Sequence, residues 1–244
     1  MSAAASSNIQ FDKIEKILVS YLRLPFSGDS IPGSFMEAVI AHIYNAEVLN
    51  TYDYVDVIDR RARIGWSVKS TRATTPLTWK RAKIANKPQL IEASRNSQSG
   101  LQALGDAIID FCNLHAAESM SIYELERIVY SRLILHPNGD ILYFERELCS
   151  RSRPNIFDKS MFSWEWSTQK DGRKKEQLSA LHGTHIPTGR KWWAWHGLGE
   201  NQLHFSGEAS WWPSKGDPQA RIFRFPSSDT RLSLERLTDL LERL

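Results

Sequence analysis

Apolar residues recur at helical spacing from the start of the chain. Over 9–24, Phe11, Ile14, Leu18 and the pair Tyr21/Leu22 fall on one stripe, which predicts an amphipathic helix. The turn-rich stretch 25–33 ends it, and Ser34 reads as the N-cap of a second helix over 35–44. That helix is apolar almost all round, with Met36, Val39, Ile40 and Ile43, so it is expected to be buried. Glu37 sits inside it. A buried carboxylate is costly without a cation or hydrogen-bond partner, so Glu37 either faces a polar site or lies at an edge of the core.

Over 53–71 the period changes. Val55, Val57 and Ile58 are β-branched, Arg60-Arg61-Ala62-Arg63 is too charged to be buried, and Ile64-Gly-Trp-Ser-Val68 resumes the apolar character. This predicts two strands joined by a tight basic turn. Side chains two apart on a strand share a face, so Ser67 and Lys69 point the same way and can both meet Asp56 across the pair. Next, Thr75 as cap and Pro76 at the first position predict a basic helix carrying Lys80, Arg81 and Lys83.

Residues 88–117 read as one long helix or a pair interrupted at 95–100, with a core stripe of Leu101, Leu104, Ile108, Ile109 and Phe111. Tyr123–Leu135 reads as strand, and Asn138-Gly139 marks a hairpin into a strand over 140–144. From 151 to 226 polar and aromatic positions alternate at 162–166, 191–195, 203–205 and 210–212. Seven of the nine tryptophans fall here, which predicts antiparallel strands with an aromatic face. The segment 232–244 is an amphipathic leucine helix that either closes the core or pairs with another subunit. The sum is an α/β (α+β) fold, a mixed sheet flanked by helices with an antiparallel aromatic-rich C-terminal part. With no repeat and no clear linker, 1–244 reads as a single domain, with a core at about 9–150, a strand-rich part at about 151–230 and a terminal helix at 231–244.

Charge sharpens this picture. The net charge is only +3, yet no acidic residue occurs between Arg60 and Ile91, while Arg60, Arg61, Arg63, Lys69, Arg72, Lys80, Arg81, Lys83 and Lys87 supply nine basic ones. A polyanion is the natural partner for such a segment. Arg173, Arg190 and Lys191, in or beside loops of the aromatic half, could reach phosphates or guanine edges. The absence of a long apolar run or a secretory start predicts a cytoplasmic protein without membrane contact. Cys112 and Cys149 lack metal-type spacing and read as buried free thiols.

The order of a helix with Glu37, a strand with Asp56, a basic turn and a strand with Ser67-Val68-Lys69 resembles the PD-(D/E)XK nuclease superfamily, most familiar from type II restriction endonucleases. The resemblance covers roughly residues 34–72. It implies a four-stranded mixed sheet on which Glu37, Asp56 and Lys69 surround Mg2+, the two acids as metal ligands and all three as the catalytic set. It also implies a homodimer that hydrolyses double-stranded DNA at specific sites, leaving 5′-phosphate and 3′-hydroxyl ends. Two positions depart from the pattern: Val55 stands where proline is usual, and Ser67 replaces the acid of the triplet. On the resemblance, the missing ligand falls to Glu37, to Asp53 or to a carbonyl such as that of Val68.

Two other readings compete. His182-Gly-Thr-His185 with Asn201 and His204 faintly resembles an HNH nuclease site, at poor spacing. The non-enzymatic rival is a DNA- or RNA-binding module, in which the tryptophan sheet stacks unpaired bases and the basic segment tracks the backbone.

Overall fold

The N-terminal stripe forms α1 (Asn8–Leu22), which buries Phe11, Ile14, Leu18 and Leu22. The computed structural model describes residues 8–27, 30–51, 53–73, 75–167, 179–205, 216–224 and 231–243. Helix α2 (Gly33–Tyr44) starts one residue before the anticipated cap: Pro32 occupies the N-cap position without a side-chain hydrogen bond. Only Met36, Val39 and Ile40 of α2 are buried, so the helix covers the core with one face and leaves Glu37 half-buried at its border. Asn45, in the left-handed region at φ 52°, ends the helix by donating to carbonyls of its last turn.

The chain divides into two compact units: Met1–Thr75 with Ser119–Arg151 and Ala209–Leu244, and Pro76–Glu118 with Ser152–Glu208. In the first unit, β1 (Glu47–Val48), β2 (Val57–Asp59) and β3 (Ile64–Arg72) form an antiparallel meander. After a long connection, β5 (Arg127–Leu135) pairs parallel with β3, and β6 (Asp140–Ser150) and β11 (Ala220–Arg224) complete a six-stranded mixed sheet. A parallel neighbour requires such a crossover. The expected turn before β6 is present, with Gly139 at φ 82° supplying the left-handed residue of the 136–139 corner. Gly65 is required for space, because a Cβ there would come within 2.7 Å of both Val55 and Leu125.

The core of this unit lies between α1, α2 and one sheet face, where Val57, Trp66, Val68, Leu133, Ile141 and Tyr143 meet the helical stripes. Full burial of each large apolar side chain contributes roughly 1.5–3 kcal/mol. Tyr44 stacks on Trp66 at 4.7 Å between ring centroids and turns its hydroxyl toward Glu145. That carboxylate is only 5% exposed and accepts from Tyr143 Oη at 2.6 Å and Tyr44 Oη at 2.9 Å. Burial, and then the adjacent Glu145 charge, hold the Tyr143 hydroxyl well above the usual tyrosine range. Tyr143→Phe removes the shortest of these donors from a buried charge and is expected to cost about 1–3 kcal/mol, read as a lower denaturant midpoint at unchanged slope.

The second unit contains β4 (Leu77–Arg81), α3 (Lys87–Asn96), the greater part of α4 (Gln98–Ile122), β7 (Phe162–Trp166), β8 (Leu181–His185), β9 (Arg190–His196) and β10 (Gln202–Phe205). Its strands form an antiparallel sheet in the order β4-β10-β9-β8-β7. The basic helix expected after Thr75 is instead strand β4. Leu77 and Trp79 are buried while Thr78 and Arg81 are exposed, a period-two pattern, and Pro76 is equally acceptable just before a strand. The helix pair is present, broken at Ser97. Cys112, rather than Phe111, lies in the buried stripe of α4.

The aromatic strands at 162–166, 191–195 and 203–205 appear as anticipated, and the one at 210–212 lies outside the described residues. Trp164, Trp193, Trp195 and Phe205 all face inward. The terminal helix α5 (Leu234–Leu241) is capped by Ser233, whose side chain accepts from Arg236 N. It buries none of its side chains, so it does not close the core as one reading had it. No described helix is long and apolar enough to cross a membrane.

Candidate active site

The hairpin β2–β3 places the site. Val57 pairs with Trp66, which brings Asp56, one residue before the strand, opposite Ser67. Asp56 N donates to Trp66 O at 2.8 Å, and Asp56 O accepts from Leu49 N at 2.8 Å, so the backbone of Asp56 is held from both sides. Its carboxylate reaches back across the pair. Oδ2 accepts from Val68 N at 2.7 Å and from Lys69 Nζ at 3.2 Å, while Lys69 Nζ also donates to Val68 O at 3.0 Å. Asp56 and Lys69 are 23% and 21% exposed, so the pair is screened from bulk water but open to a ligand.

Glu37 joins them electrostatically. Burial raises its carboxyl above the usual glutamate value, the Asp56 carboxylate raises it further, and Lys69 partly offsets both. Glu37 thus feels the charges of both Asp56 and Lys69. Asp53, the other candidate for the second carboxylate, is turned elsewhere and accepts from the hydroxyl of Tyr123. Ser67 is buried in β3 and adds no charge. Among the described residues no three His, Cys, Asp or Glu side chains converge to hold a metal. Two carboxylates, Glu37 and Asp56, are the number by which Mg2+, which keeps several waters, is commonly held.

The raised value of Glu37 has a measurable consequence in the metal-free protein. A carboxyl whose folded-state pKa lies above its unfolded one adds stability below the unfolded value and loses it as pH rises through the folded value. Glu37→Gln is therefore expected to melt above wild type at neutral pH in chelator, the gap closing as acid protonates Glu37. A gap independent of pH would contradict the placement.

Comparison with family models, curated proteins and solved structures returned no match. The site therefore rests on its own geometry.

The basic residues divide between the units. Arg60 pairs with Glu47 at 3.0 Å, and Arg63, in the left-handed region at φ 58°, pairs with Glu126 at 2.7 Å while Nε donates to Glu124 O. Those two arginines pin the turn. Arg61 and Arg72 are exposed on the first unit; Arg81, Lys83, Arg190 and Lys191 are exposed on the second, with Lys80 half-buried. Arg173 lies outside the described residues. Cys112 and Cys149 are buried and form no disulfide, and burial pushes the Cys112 thiol up to about 12, far from a reactive thiolate.

Sequence reasoning missed the buried carboxylate Glu145 and the buried Arg132, only 1% exposed and aligned with Lys69 on the neighbouring strand. Nothing local marks them. Both sit in apolar runs whose charges read as surface positions until the sheet is assembled.

Proposed function

We propose that this chain is a Mg2+-dependent endonuclease of PD-(D/E)XK type that hydrolyses phosphodiester bonds in double-stranded DNA, with Asp56, Glu37 and Lys69 as its catalytic set. The observation that carries the reading is the lysine held 3.2 Å from a backbone-anchored aspartate, with a glutamate from the preceding helix sharing their field. The surrounding order also supports it: helix, three-stranded antiparallel meander, and a fourth strand returned parallel to the third by a crossover. The sheet is mixed, as the expectation was, but has six strands where four were expected, because β6 and β11 extend it beyond β5.

On this reading Asp56 and Glu37 would hold the cation, with the Val68 carbonyl as a further candidate ligand. Bound Mg2+ would supply polarisation of the phosphate and stabilisation of charge on the departing 3′ oxygen. Lys69 donates to the attacking water and to the phosphate oxygens, orienting the first and neutralising charge on the second. Asp56 Oδ2 keeps Lys69 in place through the contact already present in the free protein. Arg61 and Arg72, exposed on the same unit, meet the backbone phosphates. Cleaving both strands symmetrically takes two copies, so a homodimer belongs to the reading.

The test is the product. Linear DNA incubated with the protein and Mg2+ is expected to give discrete fragments with 5′-phosphate ends that ligate without prior phosphorylation. Products with 3′-phosphate ends, or none in any divalent cation, would overturn the proposal. The tryptophan-stacking alternative is left without Trp164, Trp193 and Trp195, which are buried.

A further inference from the structure

The second unit buries one sheet face and leaves the other, among the described residues, half-exposed. Strand register assigns the sides. Trp164, Gly183, Trp193, Trp195, Leu203 and Phe205 are buried on one. Between them, on the opposite side, stand Glu165 of β7, His182 of β8, His196 of β9 and His204 of β10. All three histidines are half-buried, and the ring centroids of His196 and His204 lie 4.8 Å apart. Lys191 acts on His182 electrostatically, and Arg81 of β4 stands opposite Gln202 on the next strand.

We propose that this histidine-bearing face, with Lys191 and Arg81 on it, is a contact surface for the phosphate backbone of duplex DNA. Nothing in the nuclease chemistry uses these imidazoles. The choice of duplex DNA rests on the nuclease reading, whereas the chemistry of the face is that of a proton-tuned polyanion surface. A metal is the other common use of clustered histidines, but no three metal-type side chains converge among the described residues. The rings are spread across three strands, which suits an extended anion better than a point charge.

The charged surroundings set the pH behaviour. Desolvation lowers His182, His196 and His204 from the usual histidine value; Lys191 and His196 lower His182 further, Glu165 opposes that, and His196 lowers His204. Glu200 accepts from Gln202 Nε2 at 2.6 Å, and Lys87 Nζ donates to Gly197 O and Asn201 Oδ1 at the edge of the sheet. The free face thus holds neutral rings at neutral pH. A phosphate laid against them favours the imidazolium form, so binding takes up protons and tightens as pH falls.

The experiment measures binding of a fluorescein-labelled DNA duplex in chelator, where cleavage plays no part, to wild type and to the triple variant His182→Gln, His196→Gln, His204→Gln. If one ring shifts its pKa by about one unit, wild-type affinity rises about tenfold on going from alkaline to mildly acidic pH, while the triple variant binds more weakly and stays nearly flat. Glu165→Gln removes a carboxylate that repels phosphate and is expected to tighten binding at alkaline pH, where the rings stay neutral and its help to the His182 imidazolium plays no part, a gain that misfolding cannot produce. Identical pH dependence in wild type and triple variant, no gain in Glu165→Gln, or preferential binding of single-stranded RNA of the same length would overturn the proposal. Cleavage that persists with those results leaves the nuclease standing and removes only this face. Histidine-dependent duplex binding without cleavage in Mg2+ does the reverse.

Discussion

Asp56→Asn is expected to reduce Mg2+-dependent DNA cleavage by about 10³-fold, the scale of losing one preorganised electrostatic contact at a reacting phosphate. The substitution is nearly isosteric. An asparagine oxygen can still accept from Val68 N, so the hairpin retains the bond now made at 2.7 Å and the fold persists. What disappears is the negative charge that opposes Lys69 and, on the proposed reading, binds the cation. Initial rates on supercoiled plasmid measure the effect, with thermal unfolding as the control for folding. A variant that melts like wild type and cleaves within about tenfold of it would remove Asp56 from the chemistry.

The second large effect is structural and bears on whether Trp193 packs the core or stacks bases. Trp193 is fully buried and lies 5.1 Å from Phe157, 5.5 Å from Trp79 and 5.6 Å from Phe205, measured between ring centroids. Trp193→Ala empties the centre of this cluster and is expected to cost about 3–5 kcal/mol, seen as a lower denaturant midpoint for the transition that reports tryptophan burial. A base-stacking role predicts the opposite pattern, lost nucleic-acid affinity at unchanged stability. The burial of Trp193 favours the first pattern for that residue.

Much of this was legible in the sequence because it is local. The stripe of Phe11, Ile14 and Leu18, the basic turn at 60–63 and the Asn138-Gly139 corner each announce their element through spacing or turn chemistry within a few residues. The convergence of Asp56 with Lys69 follows from strand periodicity and a hairpin register that the short turn fixes. The failures are non-local. Thr75-Pro76 begins a strand as readily as a helix, and only the partner β10 decides that 77–81 is extended. Ser34 looks like a cap, yet Pro32 already sets the helix entry. The leucines of α5 read as core spacing, but spacing cannot say whether anything covers them, and Leu234, Leu240 and Leu241 are exposed. Glu145 and Arg132 are buried charges whose environment exists only once β5 and β6 are paired.

Ser67 was the weakest point of the sequence pattern, and on the proposed reading Glu37 supplies the acid it lacks. Asp53 is committed to Tyr123, whereas Glu37 shares the field of Asp56 and Lys69. The proposed set thus joins α2, the residue before β2 and β3. Plasmid cleavage by wild type, Glu37→Gln, Asp56→Ala and Lys69→Ala, assayed side by side with Mg2+ and with chelator, tests it most directly. The arrangement predicts discrete Mg2+-dependent fragments from wild type and their loss in all three variants; no cleavage by the wild-type protein, or cleavage that survives in Asp56→Ala and Lys69→Ala, would contradict it.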